Sequence, residues 1–519
     1  MMYYVEIMGL KIIVVDFGGQ YAHLIARRIR ELGVYSEIIE PENLSEVLIE
    51  GGVGGVILSG GPRSVLEDDA PTIDFDYLRS YDIPVLGICY GHHLLAKEFG
   101  GELVRGHIRE YGRTRIKIIN EDDIYHGLPR EFHVWMSHWD TVVKPPKGWI
   151  VTSISETGII TSMTDNRRFY STQFHPEVYH TEHGSKILEN FLRRICRISP
   201  WWNPGDQVSR IIEEIRNIVG EEEKVICAVS GGVDSVTTAV LVSKAIGEKL
   251  HCIFIDTGLL RKNEKENVEN TLKNLGIKNL AIVDASERFL KRLRGVGDPE
   301  EKRKIIGEEF IKVFEEVSSR IENARWLAQG TIYPDRVESG RTGRHSALIK
   351  SHHNVGGLPD KISLNILEPL KDFYKDEVRM IARKLGIPKE IWGRHPFPGP
   401  GIAVRIIGEV NEEKLNICRE ASAIVEEELS RSGIYDYVWQ AFAVVGDDKW
   451  VGVMGDERLE GYIVTIRIVE SMDGMTADWH RIDYDIMDRI SRRITNEIPK
   501  VTMVTYAVSS KPPSTIEPC

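Results

Sequence analysis

Near the front of the chain a cysteine stands in a setting that would make it a nucleophile. Cys89 lies between the apolar run VLGI and the helical pattern YGHHLLAKEFG, with Gly87 and Gly91 two residues to either side. Small residues there permit a sharp strand-to-helix turn that exposes the sulfur, and the helix N-terminus beyond it favours a thiolate and a developing oxyanion. A thiolate nucleophile also needs a base and a group to orient that base. His175 and Glu177, in FHPEV, are two residues apart. On a strand such positions share a face, so the carboxylate can hold the imidazole. Ser59-Gly60-Gly61-Pro62 offers backbone N–H donors, from Gly60 and Gly61, to an oxyanion.

A second cluster suits an anion. AVSGGVDSV follows the apolar run KVICAV and opens a helical pattern. Ser230, Gly231 and Gly232 let the backbone approach a phosphate closely, and Val233 and Ser235 begin a helix whose unpaired N–H groups would face it. Asp234 cannot bind phosphate directly, because like charges repel. It can hold a divalent cation that bridges phosphate oxygens. The Lys-Ser/Thr pair of a Walker loop is absent.

Both clusters need rigid strand ends to hold them. From Leu10 to about Arg197, short apolar runs such as KIIVVDF alternate with helical patterns such as YAHLIARRIRELG. That alternation predicts a mostly parallel sheet covered by helices. The stretch from Ser199 to Gly205 is rich in breakers and reads as a linker. A second alternating unit follows, and a third segment begins near HPFPGPG, where three prolines and two glycines exclude a regular element. The fold class expected is α/β: two doubly wound, mostly parallel-sheet domains (1–198 and 199–394) followed by a smaller α+β domain (395–519).

Composition narrows the classes of function. The 519 residues are 42% hydrophobic and 28% charged, as in a globular chain with substantial cores. The net charge of −12 opposes a general role in binding nucleic acid. No run approaches the roughly 20 apolar residues of a membrane span, and MMYYVEIMGL does not read as a signal peptide, so the expected compartment is the cytoplasm. The six cysteines form no CxxC pair, which argues against a disulfide framework or structural zinc.

The motifs G-x-C-x-G, G-G-P and H-P-E resemble those of class I glutamine amidotransferases, over about residues 10–197. The resemblance implies that Cys89 attacks the side-chain amide of L-glutamine, forms a thioester and releases ammonia, with His175 and Glu177 completing a triad. It also implies glutamine or oxyanion contacts at Gly60, Gly61, Tyr90 and Asp140. The chain departs from the family at His93, where Gln is common, and at Trp139, where Gly is usual. S-G-G-x-D-S resembles the pyrophosphate loop of N-type ATP pyrophosphatases, which cleave ATP between the α and β phosphates and use Mg2+ with ATP. FIDTGLLRKNE, GTIYPDRVES, IKSHHNVGGLP, EPLKDFYKDEVR, RHPFPGPGIAVRIIGEV, VWQAFAVV, ESMDGMTADW and SSKPPSTIE resemble, in order, segments of the GMP synthetase family.

That resemblance implies ATP, XMP and glutamine as substrates and a homodimer built by the C-terminal segment. It implies ATP or pyrophosphate contacts at Ser230–Ser235, Asp256 and Lys371, with Asp335 near the reacting groups and Asp234 as metal ligand. XMP contacts fall on Gln440, Lys511 and Glu517, and IKSHHNVGGLP becomes a lid. Its His352 and His353 lack a third ligand at suitable spacing, which argues against a metal reading. The tail departs from the family at Met503, Ala507, Pro518 and Cys519. A second enzymatic reading adenylates a different acid, as in NAD synthesis. A third is a nucleotide-sensing module that has lost catalysis.

Overall fold

The computed structural model describes residues 9–341, 364–454, 457–471, 474 and 476–519. The lid motif, with His352 and His353, lies outside them. The chain divides into two compact units, Met1–Asn203 and Pro204–Cys519, and the division falls in the breaker-rich stretch.

The first unit is built on nine strands: β1 (Lys11–Val15), β2 (Ser36–Ile39), β3 (Val53–Leu58), β4 (Val85–Ile88), β5 (Glu102–Ile118), β6 (Glu131–Lys144), β7 (Ile150–Ser155), β8 (Ile160–Thr164) and β9 (Phe169–Thr172). Their order is β2-β1-β3-β4-β9-β8-β7-β5-β6. The strands from β2 to β9 are parallel, and those from β9 to β6 antiparallel. The sheet is therefore mixed, and the expectation of a mostly parallel one is corrected here. The physical reason is visible in β6, EFHVWMSHWDTVVK, where buried and accessible residues alternate along most of its length. That is the signature of a strand with one solvated face, which antiparallel hairpins allow and buried parallel strands do not. β1, β3 and β4 are instead near-continuously buried, with Ile12–Val15 and Val56–Leu58 at 0% exposure.

The second unit carries a fully parallel sheet of β10 (Lys224–Ala228), β11 (Leu250–Asp256), β12 (Asn279–Asp284), β13 (Ala324–Ala328) and β14 (Asn365–Leu367), in the order β12-β11-β10-β13-β14. The expectation of a parallel sheet holds here. A further sheet follows, of β15 (Gln440–Met454), β16 (Glu457–Glu470), β17 (Asp478–Trp479) and β18 (Val501–Tyr506). β15 and β17 run antiparallel to β16, and β18 runs parallel to it. The helices Glu412–Arg431 and Tyr484–Glu497 accompany this sheet, giving the α+β character read from the sequence. One apolar core runs from Ile226 on β10 through Ile424 on the first of these helices to Val464 on β16. Among the described residues no helix is long and apolar enough to cross a membrane.

Candidate active site

In the first unit the carboxyl ends of β1, β3, β4 and β9 converge, where ligands of open α/β sheets bind. Cys89 follows β4 directly and caps the Tyr90–Glu98 helix with φ 52° and ψ −98°. A non-glycine residue at positive φ is strained, and strain of this kind collects at functional turns. The flanking glycines are sterically required. A Cβ on Gly87 would lie 2.5 Å from the carbonyl oxygen of Gly91, and one on Gly91 would lie 2.4 Å from that of Leu58. The elbow is tied down by Cys89 N–H donating to Thr172 O (2.8 Å) and Gly91 N–H donating to Ser59 O (3.1 Å).

His175 and Cys89 meet at Gly60. A Cβ there would lie 3.1 Å from His175 Cε1 and 3.7 Å from Cys89 Cβ. His175 Nδ1 is 2.7 Å from Glu177 Oε1, and both side chains are buried. Burial pushes the imidazole toward its neutral form. The Glu177 carboxylate and the Cys89 sulfur outweigh that and raise its pKa to about 10. The three residues expected to form a triad are thus brought together, with the proton held on the imidazole. Arg28 Nε and Thr181 Oγ1 donate to the carbonyls of Glu177 (3.1 Å) and His175 (2.6 Å), fixing the turn that aims the ring. The Tyr21 ring packs edge-on against His175 at 5.0 Å.

Asp140 on β6 is buried, with Ser64 Oγ donating to its Oδ2. Its Oδ1 is buried and accepts no hydrogen bond. The Tyr90 hydroxyl donates to Pro71 O (2.6 Å), so Tyr90 faces the site through its backbone. The departures from the family pattern separate clearly. Trp139 is 49% exposed, whereas His93 is buried with Nε2 2.6 Å from Gln173 Oε1. Burial, and then the charge of His138, push the His93 pKa down to about 4, and His92 is driven in the same direction.

This sets an acid limb to stability. A histidine whose folded pKa is depressed stabilises the fold above its unfolded pKa of about 6.5 and loses that contribution as pH falls toward 4. His175, raised to about 10, does the reverse and loses its contribution as pH climbs from 6.5 toward 10. The thermal midpoint of the full chain should therefore fall on acidification below 6.5. His93→Gln should flatten that slope by on the order of 2 to 3 kcal/mol between pH 6.5 and 4, measured by calorimetry. An unaltered slope would mean that the buried ring is not what charges on unfolding.

In the second unit the Ser230–Ser235 loop follows β10 and leads into the Val233–Ile246 helix. Gly231 adopts φ +81°, and a Cβ there would lie 2.5 Å from Val268 Cγ2. Ser235 Oγ accepts from Ser230 N–H (3.2 Å), which closes the loop onto the start of the Val233–Ile246 helix. Gly232 caps that helix with no side-chain hydrogen bond, and its first N–H groups face the loop. Asp234 pairs with Lys375 through Oδ2, while its Oδ1 is buried and accepts no hydrogen bond. Asp256, at the end of β11, accepts from Gly258 N–H (2.9 Å) and lies 3.5 Å from Lys265. Asp335 Oδ2 accepts from Ile332 N–H (3.0 Å) at the head of the Tyr333–Arg341 helix. Lys371 is exposed in a turn, its N–H donating to Glu368 O (3.3 Å). Lys375, four residues on, was not singled out in the sequence. Its spacing within EPLKDFYKDEVR carries no sign that it reaches Asp234, 141 residues away.

The C-terminal candidates are partly assembled. Gln440 Nε2 donates to Glu517 Oε1 (2.6 Å), and Glu517 accepts two hydrogen bonds from Arg405 (3.0 and 3.1 Å). Arg405 is 1% exposed and lies over the Phe442 ring at 4.3 Å. Nothing in its motif singles it out by type or spacing, because a buried arginine leaves no periodic trace. Lys511 donates to Gly474 O (2.8 Å), and no hydrogen bond joins it to the Gln440–Glu517 pair. A cavity of about 1070 Å³ opens beside Arg405, lined also by Arg261, Arg394 and Arg419.

Comparison with known proteins agrees with this arrangement. The family described as "Glutamine amidotransferase class-I" matches residues 13–195, "NAD synthase" residues 207–295, and "GMP synthase C terminal domain" residues 427–518. A "GMP synthase [glutamine-hydrolyzing]" of Pyrobaculum aerophilum is 57% identical over 98% of this chain and 100% of its own length. Proteins of the same description from Thermotoga maritima and Aquifex aeolicus are each 53% identical, over 98% of this chain and 99% of their own. With a thiol, imidazole and carboxylate joined in the first unit, a glycine-lined loop at a helix N-terminus in the second, and relatives matched over nearly their whole length, the chain belongs to the glutamine-hydrolysing GMP synthase family.

Proposed function

We propose that the protein converts XMP to GMP with ATP and glutamine, releasing AMP, pyrophosphate and glutamate. The observation that carries this reading is the presence in one chain of a Cys89–His175–Glu177 group and an Asp234-bearing anion loop, within a family of that activity. Residues 1–198 form the glutaminase, 199–394 the adenylating domain and 395–519 the XMP-binding and dimerisation domain. The enzyme works as a cytoplasmic homodimer.

In the first site the Cys89 sulfur attacks the carboxamide carbon of glutamine. N–H groups of Gly61 and Tyr90 stabilise the oxyanion, and His175 passes its proton to the departing ammonia. Water then cleaves the thioester to glutamate, with His175 as base. Asp140 Oδ1, buried and without a hydrogen bond, takes the α-ammonium group of glutamine. In the second site the oxygen on C2 of XMP attacks the α-phosphorus of ATP, and pyrophosphate leaves into the Ser230–Ser235 cradle. Ammonia then adds at C2, and AMP departs with the former purine oxygen. The open Oδ1 of Asp234 fits a hard cation, so Asp234 would hold Mg2+, which when bound offsets charge on the phosphates. Lys375 neutralises Asp234 until then, and Lys371 supports the leaving group. Gln440 and Glu517 contact the nucleoside part of XMP and Lys511 its phosphate.

A test uses ammonia in place of glutamine. With ATP, XMP and ammonium, pyrophosphate and GMP should appear in equal amounts, and omission of XMP should lower pyrophosphate release to background. AMP formation without XMP, in the presence of another acid such as a pyridine carboxylate nucleotide, would instead favour the rival ligase reading.

A further inference from the structure

We infer that Glu110 and His138 form a buried hydrogen-bonded pair that positions the glutamine-binding strand. The inference rests on the reading of Cys89 as nucleophile and Asp140 as a glutamine contact. His138 lies on β6 with its Nδ1 2.9 Å from Asp140 O and its Nε2 3.4 Å from Glu110 Oε2, on the neighbouring β5. His138 thus bridges the backbone of its own strand to a side chain of the neighbouring one. Glu110 is ionised. Burial pushes its carboxyl group up, but hydrogen bonds from His138 and Thr157 bring it below the ordinary range. Thr157 Oγ1 donates to Glu110 Oε1 at 2.6 Å. The two side chains are 1% and 6% exposed.

A buried pair of this kind earns no presumption of stabilising the fold, since desolvation offsets much of the attraction. Its placement gives it a different use. The residue before His138, Ser137, accepts the Cys89 thiol at its carbonyl (3.5 Å). Two residues later comes Asp140, whose Oδ1 is left open in the buried site. His138 sits between these points and anchors the Asp140 backbone through Nδ1. Glu110 holds the ring through Nε2, so the pair fixes where the open Oδ1 of Asp140 stands for the substrate ammonium group. Glu110 and His138 touch neither substrate nor sulfur through their side chains in this scheme; they are positioning residues.

The test is Glu110→Gln in the full-length enzyme, assayed with saturating ATP and XMP. The KM for glutamine should rise by about tenfold or more, kcat should stay within about threefold, and ammonia-driven synthesis should be unchanged. A KM left unchanged or a fall confined to kcat would overturn the inference. Should Glu110→Gln lose ammonia-driven activity as well, the fold has failed. Thr157→Val, which removes one hydrogen bond to the same carboxylate, then decides by raising KM about threefold or leaving it alone. Glutamine-driven synthesis surviving in Cys89→Ala would sink the site reading itself, independently of Glu110.

Discussion

Cys89→Ala should abolish glutamine-driven GMP formation, by about four orders of magnitude, and leave ammonia-driven formation at the wild-type rate. The size follows from what the sulfur does. Without it no thioester forms, and removal of the nucleophile from a catalytic group costs about as much as removal of the whole group. The selectivity follows from where it sits. Cys89 belongs to the first compact unit, and the Ser230–Ser235 loop belongs to the second. Alanine is small enough for the elbow, and the strained φ of 52° is a property of the turn, which the flanking glycines keep. The measurement is the initial rate of GMP formation with each nitrogen source. Equal loss with both would mean that the cysteine supports the fold or the adenylation chemistry.

The complementary variant is Asp234→Asn. It should lower GMP formation with glutamine and with ammonia alike, by roughly two to three orders of magnitude, while the protein stays folded. Asp234 is the one residue of the loop whose charge opposes phosphate, and its Oδ1 is buried without a hydrogen bond. That arrangement is costly unless a cation completes it. Asparagine keeps the shape, loses the charge, and loosens Lys375 from its partner. Pyrophosphate release with XMP and ammonium is the readout, and it should recover in part when Mg2+ is raised. A variant impaired with glutamine but normal with ammonia would place Asp234 outside the adenylation site.

How far the sequence carried depended on range. Cys89 was legible because its glycines are local, and the backbone clashes at Gly87 and Gly91 supply the reason. The parallel strands β1, β3, β4 and β10 were legible as apolar runs, since both of their faces are covered. The antiparallel half of the first sheet was not. Its long strands β5 and β6 carry buried polar residues, Glu110, His138 and Asp140, that hide the alternation of burial from a reading by residue type. On the proposed reading Asp140 contacts glutamine and the other two position it, so the pattern fails where function is proposed. Lys375, Arg405 and Glu110 escaped notice for another reason. Each acquires its role from a partner distant in sequence, across 141, 112 and 28 residues respectively. No spacing rule links such pairs. The resemblance supplied candidates at the tail, and the geometry orders them: Gln440 and Glu517 share a cluster around Arg405, while Lys511 is held by a separate carbonyl.

One isotope experiment reaches the centre of the account, the activation of a purine oxygen at the phosphate cradle. XMP labelled with 18O at its C2 oxygen is turned over with ATP and ammonium, and the products are analysed by mass spectrometry. The label should appear in the phosphate of AMP, one atom for each GMP formed. Label in water or pyrophosphate, with unlabelled AMP, would contradict adenylation at that oxygen.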